Sequence, residues 1–197
     1  NKYKMTTATS DWSTYDTIGG YMPDDSDSNK LVFRNGHFLD CFRNGDGDPQ
    51  NKWLILDEIN RADIDKAFGS IFSALTGDNV YLNSKKNGEY VEIIGEPKDE
   101  DEVASHKYFI HPDWRIIATM NTFDKASLYE MSFAFMRRFA FINVGVPTNL
   151  DKSFYKLIEK WNRNVKPDKK LKPDEGVKEI WKKINEYRKI GPAIVED

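Results

Sequence analysis

Four apolar residues, Trp53-Leu54-Ile55-Leu56, run directly into two adjacent carboxylates, Asp57 and Glu58. A continuous apolar run of this length reads as a strand of a parallel sheet buried on both faces. Ligands of open α/β sheets gather at the carboxyl ends of such strands. Two acids at that edge suit a magnesium-nucleotide site, one holding the metal's water shell and the other activating a water. Yet the glycine-rich loop that cradles phosphates, G-x-x-x-x-G-K-[ST], occurs nowhere in the 197 residues.

Composition narrows the class. Hydrophobic residues make up 39% and aromatics 13% of the chain, enough for a packed core and too many for global disorder. A net charge of −3 leaves no overall electrostatic footprint for nucleic acid, although a local patch or another domain stays open. The single cysteine, Cys41, excludes an internal disulfide and fits a reducing compartment. No apolar stretch approaches the ~20 residues that span a bilayer, and the polar start is not a signal peptide. The expectation is a soluble, cytoplasmic protein that does not engage membranes.

Along the chain, strand and helix signals alternate. Residues 1–50 are polar and turn-rich, with a tight turn at Gly19-Gly20-Tyr21 and an acidic loop from Asp24 to Asp27. Asn35-Gly36, between Leu31-Val32-Phe33 and His37-Phe38-Leu39, predicts a two-residue hairpin. After the Trp53 strand, Ile64, Ala67, Phe68, Ile71, Phe72 and Leu75 repeat at helical spacing, with Asp63 or Asp65 at the start and Gly77 at the close. Lys86-Asn87-Gly88 predicts a second hairpin, and Trp114 to Thr119 a further strand. Ser127 with Glu130 predicts a capping box opening a helix that ends near Arg137-Arg138. Phe139 to Val144 reads as one more strand, so the whole is an α/β sheet. Beyond Pro147, Phe154, Leu157, Ile158 and Trp161 form one helical stripe and Val177, Trp181, Ile184 and Tyr187 another. The chain reads as cut at both ends.

Four segments in order then resemble the AAA+ NTPases, in the branch of McrB-type restriction GTPases and MoxR-type ATPases. They are Trp12 through Ile18-Gly19-Gly20-Tyr21-Met22-Pro23, Leu54-Ile55-Leu56-Asp57-Glu58-Ile59-Asn60-Arg61-Ala62, Ala118-Thr119-Met120-Asn121-Thr122-Phe123-Asp124, and Phe135-Met136-Arg137-Arg138-Phe139. The resemblance covers roughly residues 10–145. It implies a three-layer α/β/α core over 1–148, lacking the first strand and phosphate loop, with an insert at about 15–45 and a hairpin at about 79–94. Residues 149–197 would begin a helical lid.

The resemblance also assigns roles. Asp57 is the Walker B acid holding Mg²⁺ through water, since Mg²⁺ keeps several waters and takes few carboxylates. Glu58 polarises the attacking water. Asn121 is the sensor 1 amide, able to orient that water or touch the γ-phosphate without adding charge. Asp124 ends the Asn-Thr-x-Asp motif on the nucleotide side, or caps a local turn. Arg137 and Arg138 are the candidates for an arginine finger acting on a neighbouring subunit's nucleotide, with Arg138 preferred for its place beside Phe139. For isolated acids at a strand end, or arginines at a helix C-terminus, plain surface roles suffice. It is their combination that carries the resemblance.

The implied ligands are Mg²⁺ with ATP or GTP. The implied partners are further copies in a ring, most commonly a hexamer, a McrC-like nuclease subunit, and DNA through other domains. Two departures stand against a full match. Arg188 and Lys189 lie near the sensor 2 position without a firm motif. Without the phosphate loop, this chain alone is expected to bind nucleotide weakly or not at all. In the family the strand before that loop sits mid-sheet. Its loss predicts that the sheet closes up, recruits another segment such as residues 2–8, or pairs with another chain. Two competing readings are a non-hydrolysing AAA+-like scaffold and a carboxylate-metal nuclease, the latter lacking a clear third ligand. His37, His106 and His111 show no metal-ligand spacing, and Cys41 reads as a small packed side chain.

Overall fold

The apolar run at Trp53 is a strand, and its buried positions decide where the core lies. The structure, a computed structural model, describes residues 2–98, 102–121 and 129–191. Its elements begin with β1 (Tyr3–Thr7), the single turn α1 (Thr14–Thr17), β2 (Gly19–Pro23), β3 (Leu31–Asn35) and β4 (Trp53–Asp57). Then come α2 (Ile64–Phe68), β5 (Val80–Lys86), β6 (Glu89–Ile94), β7 (Lys107–Phe109), β8 (Ile116–Ala118) and α3 (Phe133–Met136). Two longer helices close the chain, α4 (Leu150–Trp161) and α5 (Glu175–Tyr187). They divide into two compact units, Asn1–Ala140 and Phe141–Asp197.

In the first unit β1, β4 and β8 form a parallel sheet in that order, with Tyr3 opposite Trp53, and Leu54 opposite Ile116. Period-two alternation sends Leu54 and Leu56 to one face, where both are fully buried. There they join a core that includes Ile59, Ala62, Ile64, Ala67 and Phe68 from the segment that follows. Each leucine, isoleucine and phenylalanine among these contributes roughly 1.5–3 kcal/mol by leaving water. On the opposite face Tyr3, Met5, Trp53 and Ile117 remain 42% to 58% exposed, so the sheet is covered on one face far better than on the other.

Two smaller sheets flank this one. β2 and β3 make an antiparallel ribbon, while β5, β6 and β7 form a second sheet in that order. The hairpin expected at Lys86-Asn87-Gly88 is present, with Asn87 and Gly88 both at positive φ (56° and 89°). The Tyr21 hydroxyl ties the ribbon to β5, donating to the Lys85 carbonyl at 2.8 Å and accepting from its N–H at 2.9 Å.

Several expectations are corrected. Asn35-Gly36 is not a hairpin turn: β3 ends at Asn35 and pairs with β2, Gly19 lying opposite Asn35. Gly36 is pressed instead against the backbone of Asp16 and Thr17, with its N–H donating to the Ile18 carbonyl at 2.7 Å. Between Asp63, which caps α2 through Lys66 N–H at 3.1 Å, and Gly77 at φ 98°, the predicted helix breaks into α2 and two 3₁₀ turns. Gly69 and Ser70 at the break are weak helix formers. The last helix of this unit is the short α3, capped by Ser132 at 3.2 Å to Phe135 N–H. Ser127 lies outside the described residues.

Residues 139–144 form no strand, because an apolar run becomes one only where a ladder partner exists. Nor do residues 2–8 fill a gap beyond β8. Residues 3–7 join the sheet on the far side of β4, and β8 has no outer partner among the described residues. Among the described residues the sheet does not close up there. A cavity of about 660 Å³ lies beside that edge, lined among others by Arg115, Ile116, Arg138 and Phe139.

In the second unit Asn149 and Asp174 cap α4 and α5, accepting from Lys152 N–H at 2.9 Å and Val177 N–H at 3.0 Å. Phe154, Ile158 and Trp181 are its buried core. The predicted stripe on α4 holds, but α5 differs. Its buried face runs through Lys178, Trp181 and Asn185, leaving Val177, Ile180 and Tyr187 exposed. Lys178 tolerates that position because its amine reaches Glu175 and the Tyr155 hydroxyl while its stem covers apolar surface.

Candidate active site

Alternation that buries Leu54 and Leu56 places Asp57 on the sheet's other face. Thr119, one residue past the end of β8, falls on that same face by the register of β8 against β4. The two strand ends are stitched together by Thr119 N–H to Leu56 O and Ile59 N–H to Thr119 O, both 2.9 Å. The Thr119 hydroxyl donates to Asp57 Oδ1 at 2.5 Å and accepts the Glu58 N–H at 3.1 Å.

Glu58 sits in the left-handed region (φ 52°, ψ 46°). For a residue with a side chain this costs of order 1–3 kcal/mol and persists only where neighbours enforce it. Here the Thr119 hydroxyl and the Arg61 N–H, which donates to the Glu58 carbonyl at 2.9 Å, hold the turn. The Glu58 carboxylate is ion-paired with Arg61 at 2.9 Å.

Asn121 follows Thr119 by two residues and is exposed. Its main-chain carbonyl accepts from Asn60 Nδ2 at 3.2 Å. Asn60 is only 5% exposed, and its Oδ1 has no hydrogen-bond partner among the described residues. Asp124 lies outside the described residues.

The two arginines part company. Arg138 donates from Nε to the Phe72 carbonyl at 2.8 Å and also bonds the Ala134 carbonyl. Its guanidinium lies over the Phe72 ring, 5.2 Å from the centroid. Arg137 is exposed; its main-chain N–H donates to the Phe133 carbonyl at 3.1 Å, but its guanidinium makes no hydrogen bond or ion pair with a described residue. Ser132 fastens the start of α3 to α2 by donating to Asp65 Oδ1 at 2.6 Å.

Among the described residues no group of three or more His, Cys, Asp or Glu could hold a metal ion. A single carboxylate at a strand end fits Mg²⁺ nonetheless, since that ion retains waters and completes its shell with substrate phosphates rather than a protein cage. Oδ1 of Asp57 is engaged by Thr119, so Oδ2, which has no hydrogen-bond partner among the described residues, is the oxygen that would meet such an ion's water shell. The nuclease reading gains no third ligand among the described residues. Cys41 is buried, and burial pushes its thiol up to about 12, so it is no nucleophile at neutral pH.

Residues 1–139 match the AAA domain family, dynein-related subfamily. The chain belongs to that family. Over 136 residues it is 32% identical to the type IV methyl-directed restriction enzyme EcoKMcrB subunit of Escherichia coli K12. That alignment covers 68% of this chain and 26% of the relative, so the chain spans about a quarter of that protein's length. A crystal structure of a candidate ATPase from Cytophaga hutchinsonii aligns over 83% of this chain and 39% of its own, at 14% identity and a TM-score of 0.47. The resemblance to the McrB-type branch of AAA+ proteins, and the α/β fold it implied, therefore hold for this member of the AAA family. No helix among its described residues is long and apolar enough to cross a membrane.

Thr119, Asn60 and Arg61 escaped attention as site residues in the sequence. Arg61 and Asn60 sit within the Asp-Glu-Ile-Asn-Arg run, where a partner three residues away was legible. Thr119 had no such signal, being 62 residues from Asp57.

Proposed function

We propose that this chain supplies the hydrolytic edge of an AAA+ nucleoside triphosphatase. In this reading it acts on ATP or GTP at subunit interfaces of a ring and couples turnover to moving or remodelling a partner. Asp57 receives Mg²⁺ through water, Glu58 polarises the attacking water, and Asn121 orients it. Mg²⁺ when bound neutralises charge on the phosphates. Arg137 reaches the nucleotide of the adjacent subunit, where a guanidinium contributes roughly 10³–10⁵ in rate. Its exposure and free fork favour it over Arg138, whose guanidinium is already engaged by Phe72 and Ala134. Asp124 borders the nucleotide, and residues 149–197 begin the lid.

The observation that carries this reading is the juxtaposition of Asp57, Glu58 and Thr119 at the carboxyl edge of two paired parallel strands. The phosphate grip must come from a glycine-rich loop that these 197 residues do not contain. The outer edge of β8, unpaired among the described residues, is where the strand leading into that loop would pair. Similarity to a restriction subunit supports DNA and a McrC-like nuclease as partners. A titration of the full-length protein with ATP and GTP, with and without Mg²⁺, tests the reading. Mg²⁺-dependent binding of one or both is expected, and absence of binding to either would overturn it.

A further inference from the structure

We propose that Thr119 is a positioning residue for both Walker B acids, a role that rests on the hydrolytic reading of Asp57 and Glu58. A single hydroxyl does two jobs at once. Its one proton goes to Asp57 Oδ1 at 2.5 Å, and a lone pair takes the Glu58 N–H at 3.1 Å. A hydroxyl has this donor-plus-acceptor capacity, whereas an amine or a methyl does not.

The first bond orients the carboxylate. With Oδ1 held by a donor just past the end of β8, the Asp57 side chain cannot rotate freely. An ion held through water depends on such fixed direction, and partners that orient metal-binding carboxylates typically matter 10–100-fold to metal affinity or activity. The second bond acts on backbone. It gives the Glu58 N–H an acceptor while Glu58 sits in the left-handed region, φ 52° and ψ 46°. That turn aims the Glu58 side chain away from the strand direction, toward Arg61. Thr119 is in turn fixed by its own main chain, which bonds Leu56 O and receives Ile59 N–H. The hydroxyl therefore reports the β4–β8 register directly to both acids.

Thr119 is exposed on the sheet's edge, so its methyl has little packing to supply. The hydroxyl is what the site uses. Serine should therefore serve nearly as well, and valine, equal in shape but lacking the hydroxyl, should not.

The test compares Thr119→Val, Thr119→Ser and Asp57→Asn in the full-length protein. Two quantities are measured: the Mg²⁺ concentration that half-saturates ATP or GTP binding, and hydrogen exchange of the Glu58 amide without nucleotide. Thr119→Val is expected to raise the Mg²⁺ requirement about 10–100-fold and to speed exchange at Glu58. Thr119→Ser should restore most of both. If Thr119→Val matches wild type while Asp57→Asn loses Mg²⁺ dependence, the positioning role is wrong and the site reading survives. If Thr119→Ser fails as badly as Thr119→Val, the hydroxyl is not what matters and the proposal also falls. If Asp57→Asn itself changes nothing, the hydrolytic reading fails along with it.

Discussion

Arg138 is anchored to Phe72. Its Nε donates to the Phe72 carbonyl at 2.8 Å, and its guanidinium stacks on the Phe72 ring at 5.2 Å. This makes Arg138 part of the packing that joins α3 to the segment after α2, and leaves its neighbour Arg137 to face outward. Hydrogen bonds to charged groups contribute about 1.5–3 kcal/mol. Arg138→Ala should therefore lower the melting temperature by several degrees. Arg137→Ala should melt as wild type does.

The activity of the same pair should split the other way. In rings mixed from wild-type and Arg137→Ala subunits, the variant should still bind nucleotide while depressing turnover in its neighbours, by up to about 10³-fold at full substitution. Steady-state hydrolysis across mixing ratios checks this. Undiminished turnover with Arg137→Ala, and trans inhibition by Arg138→Ala at unchanged stability, would reverse the assignment.

Gly36 is a packing glycine. A Cβ there would stand 2.5 Å from the Thr17 carbonyl carbon and 2.6 Å from the Asp16 oxygen, both backbone. Those atoms are pinned by the bonds His37 N–H to Asp16 O and Phe38 N–H to Thr17 O, each 2.7 Å. Gly36→Ala should destabilise by roughly 1–3 kcal/mol, read in urea unfolding. Gly45→Ala, with open space around its Cβ position, should stay within ~0.5 kcal/mol.

His37 should make the first unit acid-sensitive. Half-buried beside Trp12, with Lys4, Asp16 and Asp40 around it, its imidazole is held below its ordinary 6.5, first by burial and then by the Lys4 charge. The folded state thus favours the neutral ring, and the unfolded chain binds the proton more readily. The stability so gained is present above about pH 6.5 and is lost as pH falls through the folded-state value. Melting temperature followed from pH 7.5 to 5 should fall less in His37→Gln than in wild type. An NMR titration should place the His37 midpoint below 6.5.

The sequence showed what local pattern determines. The apolar run ending in Asp57-Glu58 could hardly be anything but a strand, and Asn87-Gly88 formed the turn its dipeptide predicts. Asn35-Gly36, an identical dipeptide, did not, because Gly36 is chosen for close approach to Asp16 and Thr17 rather than for a turn. Phe139 to Val144 was apolar enough for a strand but has no ladder partner among the described residues. On α5 the buried face passes through Lys178 and Asn185, which no hydropathy pattern would select, because Glu175 and Tyr155 satisfy the lysine amine. Thr119 shows the same limit at the site. Its two partners are set by strand register, and register is a tertiary fact.

Glu58→Gln in the full-length protein tests the central claim most directly. The substitution keeps size and removes the charge that, in the proposed reading, polarises water. Nucleotide binding in the presence of Mg²⁺ should persist while hydrolysis falls by at least about 10²-fold, the usual contribution of a positioned base. Hydrolysis at the wild-type rate would contradict the account.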